Sequence, residues 1–166
     1  MIFEAQVANN LQDHVKYTKY YMTRIKPIPT YTPSVLFTVA GVVLAVLGHL
    51  EGLFLVLVAS VVPFIILHFA ASTARKRADN KTFLGGSATY RFDDTGVMGI
   101  VKADEKQTVL KVSYDEMFKV YESKEAFYLF FKQDVARIVP KRSVVRGDVL
   151  QLSDLLKAKL GSRKKG

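Results

Sequence analysis

The spacing of hydrophobic residues changes along the chain, and each change predicts a different element. Ile2 to Val7 has the composition of a short strand. Leu11, Val15, Thr18, Met22 and Ile25 then recur every three or four positions, which predicts a helix with one largely apolar stripe, capped by Asn9 or Asn10. Tyr17, Tyr20 and Tyr21 lie beside the stripe, as they would on an interfacial helix or on one packed against a following domain. Pro27, Pro29 and Pro33 predict the end of this helix, since each lacks an amide donor and pushes the residue before it toward extended backbone. From Val35 to Leu50 and from Leu53 to Ala71 the polar half of the period disappears. Beyond Ala88 the period becomes two, and beyond Val149 it is helical again.

The two apolar runs predict a transmembrane hairpin over residues 34–72, turning at Glu51-Gly52. At 1.5 Å per residue they reach roughly 24 and 28 Å, near the hydrocarbon thickness of about 30 Å. Glu51 is the only acid between Val35 and Asp79, and at the turn its charge stays in water. Neither run offers the polar outer face that a soluble helix pair needs. Gly41, Ala45 and Gly48 fall on one face of the first run and are expected to pack near Val62, Val58 and Leu55 of the second. Pro63 is expected to kink the second run by removing the hydrogen bond to Ala59, with Ser60 compensating. His68 is the one ionisable group inside that run, close to its basic end, and no acid lies inside either span to partner it.

Basic residues flank the hairpin on both sides. Lys16, Lys19, Arg24 and Lys26 precede it and Arg75, Lys76, Arg77 and Lys81 follow it, while the turn has none, so the positive-inside rule places both termini in the cytoplasm. Arg75, Lys76, Arg77 and Lys81 are the candidate contacts to anionic lipid headgroups, within a basic linker over residues 73–86 that ends in Gly85-Gly86. Residues 1–33 form an N-terminal piece of strand and amphipathic helix.

Residues 87–160 read as antiparallel strands closed by a helix. Ala88, Tyr90 and Phe92 alternate with Thr89 and Arg91, and Leu110, Val112 and Tyr114 alternate with Lys111 and Ser113. Turns are expected at Asp93 to Gly96, Asp104 to Lys106, Ser123 to Glu125 and Lys132 to Asp134. Ala126 to Phe131 is apolar on both faces and predicts a central or covered strand, and Val135 to Pro140 pairs next to it. Asp148 and Gln151 open a helix whose Val149, Leu152, Leu155, Leu156 and Leu160 face the core, and Gly161 stops it. Together these elements predict a curved sheet or split barrel plugged by the helix, followed by a basic tail at residues 161–166 that is solvated or rests near lipid.

Composition then narrows the chemistry. The net charge of +9 divides as +2 over residues 1–33, +1 over 34–80 and +6 over 81–166, all of the excess on the side assigned to the cytoplasm. Nucleic acid is not the expected partner, because the basic residues are interspersed with acids and no recognition helix or aromatic RNA-binding signature is present. The absence of cysteine excludes disulfides, thiolate catalysis and Cys-ligated zinc. With three histidines, of which only His14 lies clear of the hairpin, no His-based triad or zinc site assembles, and His49 with Glu51 makes too few metal ligands. No cofactor, metal or catalytic residue is assigned.

YRFDDTGV, VSYDEMFKVYESKEAFYLFF and RIVPKR, in that order, resemble the C-terminal domain of the YcxB-like proteins, small bacterial membrane proteins with two spans ahead of that domain. The resemblance covers roughly residues 87–160 and implies a PH-like fold behind a two-helix anchor. The family tends to place an aromatic shortly after the Pro140-Lys141 pair, where this chain has Arg142, Ser143, Val144 and Val145. It brings no established activity, so no functional residue is carried over. Lys141 and Arg142 read more simply as solvated charges at a strand end than as contacts to an anionic ligand.

The expected protein is therefore α+β: a transmembrane hairpin carrying a cytoplasmic PH-like antiparallel sheet or split barrel. Its expected function is a non-enzymatic binding or scaffolding module at the cytoplasmic face of a bacterial inner membrane. Its expected partners are the bilayer, anionic headgroups and a protein. The alternative is a subunit of an oligomeric transport or channel assembly, since two spans alone cannot enclose a pore.

Overall fold

The computed structural model describes residues 2–78, 86–103, 106–133 and 135–165. The chain divides into two units, residues 14–77 and residues 1–13 together with 78–166. The expected N-terminal piece over residues 1–33 is thus split, its strand belonging with the C-terminal sheets.

Helix α1 (Leu11–Tyr20), whose first three residues belong with the sheets and the rest with the helical unit, begins where the Asn10 side chain accepts the Gln12 amide at 2.9 Å and runs into a π-helical turn, Tyr21–Ile25. The Lys26 amide closes that turn on the Tyr21 carbonyl at 2.8 Å. Helix α2 (Ile28–Val46) follows immediately. Pro29 and Pro33 therefore do not hold the chain extended as expected. Pro29 opens α2, where a helix has no intrahelical use for an amide, and Pro33 lies within it. Thr30, fully buried, donates its hydroxyl to the Met22 carbonyl at 3.1 Å and ties α2 to the preceding turn.

The hairpin turn is Leu47 to Leu50, not Glu51-Gly52, which open α3 (Glu51–Ala78). Gly48 has φ +88°. Its amide donates to the Ala45 carbonyl at 3.1 Å, and the His49 amide donates to Leu44 at 3.0 Å. That pair of bonds is the Schellman arrangement, which needs a left-handed residue just past the helix end.

Among its described residues the other unit holds nine strands in two sheets. The first has the order β4-β3-β2-β1-β8, with β1 Phe3–Ala8, β2 Ser87–Phe92, β3 Gly96–Ala103, β4 Lys106–Ser113 and β8 Val144–Arg146, and every pairing is antiparallel. The second has the order β7-β6-β5-β9, with β5 Lys119–Glu122, β6 Ala126–Lys132, β7 Val135–Pro140 and β9 Lys164–Lys165, the last parallel to β5. The period-two strands, expected to form a curved sheet or split barrel, are divided between two sheets. Helix α4 (Val149–Leu160) starts where Asp148 accepts the Leu150 and Gln151 amides. It buries Leu152, Leu156 and Leu160 in one core with Phe3, Ala5 and Phe92 from the first sheet and Val120, Phe127 and Leu129 from the second. β6 is buried on both faces from Ala126 to Phe130, as its continuous apolar run predicts.

Candidate functional site

Two regions carry the features that bear on function, and the first is the hairpin. At 1.5 Å per residue α2 reaches about 28 Å and α3 about 42 Å. Both are long and apolar enough to cross a membrane, with only 11% and 6% of the apolar windows buried inside the protein. A soluble core pair would show the reverse. Val35, Phe37, Val39, Leu53, Phe54, Leu57, Phe64 and Phe69 all point outward, more than 40% exposed.

Within the hairpin the close approach is between Gly41 and Gly52. A Cβ on Gly41 would press on the Gly52 carbonyl and the Val56 and Leu55 side chains, and one on Gly52 would press on Gly41, Ala45 and Leu44. The expected register, with Gly41 beside Val62, is therefore shifted toward the turn. Ala45 keeps its packing role, while Gly48 meets nothing within 4 Å and serves the turn instead. Pro63 lies inside α3, and the Ser60 hydroxyl bonds Leu57, at 2.6 Å, not the Ala59 carbonyl it was expected to satisfy. His68 is exposed and packs edge-on against Phe69, ring centroids 6.3 Å apart. Arg75 and Lys76 stand exposed near the end of α3, Arg77 continues the helix, and Lys81 lies outside the described residues.

The second region is a charged cluster in the sheet unit, and Glu122 on β5 is its centre. Lys141 Nζ and Lys164 Nζ each approach its carboxylate at 2.6 Å, and the Ser153 hydroxyl donates to it at 2.7 Å. Lys164 also donates to Ser153 at 2.7 Å, so four groups from β5, α4, β9 and the 3₁₀ turn after β7 close one network. Burial pushes the Glu122 carboxyl up, but the hydrogen bonds from Lys141, Lys164 and Ser153 outweigh it and hold the pKa at about 2. A second pair, Arg142 Nη2 to Asp13 Oδ2 at 2.6 Å, joins that same 3₁₀ turn to the start of α1. Lys141 and Arg142 are thus each paired with an acid of the chain, Lys141 largely covered and Arg142 still 57% exposed.

Two residues of the basic tail are likewise held to the domain. Arg163 donates to the Asp115 and Met117 carbonyls at 3.0 and 2.9 Å, and Lys164 is a strand residue held by Glu122. The segment where the family's aromatic is replaced holds together differently: Arg142 pairs with Asp13, and Val144 sits opposite Ala5 and packs on the core. At the β2–β3 turn, Asp93 accepts the Thr95 hydroxyl and the Thr95 and Gly96 amides, bonds that lower its pKa. Beside β1 a groove of about 500 Å³ is lined by Gln6 to Leu11, Asp13, Pro140, Arg142 and Ser143. Among the described residues no cluster of His, Asp and Glu is arranged to hold a metal ion.

Residues 92–156, from the last residue of β2 into α4, match the family model of the YcxB-like protein. The chain carries a YcxB-like domain. No curated protein and no solved structure matches it. The matched segment is narrower than the folded unit: β1, most of β2 and β9 lie outside it, yet β1 sits between β2 and β8. Glu122, Ser153 and Asp13 were not singled out from the sequence. Their signal is weak there, since an acid in a strand or first helical turn reads as surface until the opposing cations are known.

Proposed function

We propose that this protein is a membrane-anchored, non-enzymatic binding or scaffolding module, its hairpin spanning a bacterial inner membrane and its YcxB-like domain held at the cytoplasmic face. The observation that carries this is the outward apolar surface of α2 and α3, which has no reason to face water. The pairing of β1 with β2 supports an even number of crossings. β1 precedes the helices, β2 follows them, and hydrogen-bonded strands lie on one side of a bilayer. Two sheets closed by a C-terminal helix support a PH-like architecture for the domain. Its function is binding rather than catalysis on this view, since its polar clusters are ion pairs and turn caps. Reporter fusions at the two ends, combined with carbonate washing of membranes, test the anchor. Both ends should report the cytoplasm and the protein should stay in the pellet; opposite sidedness or release by carbonate would refute it.

A further inference from the structure

The outer face of the five-stranded sheet carries charge in a pattern that strand register sets. Arg146 lies opposite Glu4, Glu4 opposite Arg91, Arg91 opposite Met98, and Met98 opposite Lys111. One row therefore crosses all five strands with three cations and one acid, and cations on alternate strands stand about 10 Å apart. Two residues along, Thr89, Ile100 and Val109 form the neighbouring row, and Ser87, Lys102 and Gln107 the next. Lys102, Lys111 and Arg146 are exposed and make no salt bridge among the described residues. Arg91 meets Glu4 at 3.2 Å but remains half exposed, and Val109 is 59% exposed. Elsewhere in the unit Lys141 and Lys164 are held by Glu122 and Arg142 by Asp13, while Lys124, Lys132, Arg137, Lys157 and Lys159 are exposed outside these rows. What sets this face apart is that strand register lines its cations up in one row.

We infer that this sheet face rests on an anionic lipid surface, Lys102, Lys111 and Arg146 meeting headgroups while Val109 enters the interface. The inference rests on the hairpin being a membrane anchor. A row of separated charges on a pleated sheet fits a surface of repeated anions, which asks for no shape complementarity. A domain tethered to a bilayer also meets that surface at high effective concentration, so weak contacts suffice.

The full chain has no cysteine, so a single Gln107→Cys substitution carries an environment-sensitive fluorophore on this face, and Lys157→Cys carries it on α4 as a control. In nanodiscs containing phosphatidylglycerol the Gln107 label should be about threefold less open to acrylamide quenching than in pure phosphatidylcholine, and high salt should reverse this. The Lys157 label should not respond. Lys102→Glu, Lys111→Glu and Arg146→Glu together should abolish the protection, and the corresponding glutamine set should weaken it with the circular dichroism of the wild type. Equal quenching in both discs would overturn the inference while leaving the anchor intact, as would protection that appears only on adding an acidic protein or nucleic acid. A chain that fails to enter discs of either composition would sink the anchor and this inference with it.

Discussion

Glu122 shows how much a single carboxylate decides when the fold brings cations to it. Its side chain is 18% exposed and faces two ammonium groups and a hydroxyl, so removing its charge leaves Lys141 and Lys164 crowded together. Glu122→Gln is expected to lower the stability of the sheet unit by about 2 kcal/mol at pH 7. The pH dependence has a definite sign. The folded pKa of about 2 lies below the ordinary 4.5, so the stabilisation is complete above about pH 4.5 and is lost as pH falls toward 2. Denaturant titrations followed by tyrosine circular dichroism should show wild type and variant converging in acid; a gap that persists at pH 2 contradicts the assignment. Arg142→Ala should cost about 2 kcal/mol in the same assay, because Asp13 stays largely buried without its partner. Asp13→Asn combined with it should cost less than the two single effects added together. None of these partnerships is visible along the chain, since Asp13 and Arg142 are 129 positions apart and only the fold makes them neighbours.

At the level of elements, the apolar runs announce two helices because nothing in them supplies a polar face, but they do not say where the turn falls. Backbone geometry decides that. Gly48 tolerates φ +88°, so the chain reverses there and Glu51 is free to open α3. The two nearby glycines should then respond to substitution for different reasons. Gly41→Leu inserts bulk against the Gly52 carbonyl and Val56 and should separate the helices, costing about 1–3 kcal/mol. Gly48→Ala meets no atom within 4 Å and should cost only the strain of a left-handed residue, about 1 kcal/mol. Thermal unfolding in detergent checks the order; a Gly48 effect larger than the Gly41 effect would contradict the observed register. Prolines mislead for a related reason. A missing amide breaks a helix interior but is harmless at its first turn, and sequence alone does not say which side of Pro29 the helix lies on.

At the scale of the whole molecule, β1 is the strand that sequence most understates. Phe3, Ala5 and Val7 are almost fully buried between β2 and β8, so the YcxB-like domain is completed by residues that precede the hairpin. A truncation starting at residue 81 is therefore expected not to fold. Its amide spectrum should be poorly dispersed, and joining residues 2–10 to it should restore dispersion; a well-folded truncation would show β1 to be dispensable. The sequence by itself determined most of the elements: two helices from unbroken apolarity, the longer strands from alternation, α4 from its cap and leucine spacing, but not the short β8 and β9. These follow from local rules that act within a turn or a few residues. Only the tertiary structure decided the division into two sheets, the place of β1, and the pairing of Glu122, Asp13 and the tail. Each of those depends on which distant segments share a core and which charges burial forces together, and contacts of that kind leave no period in the chain.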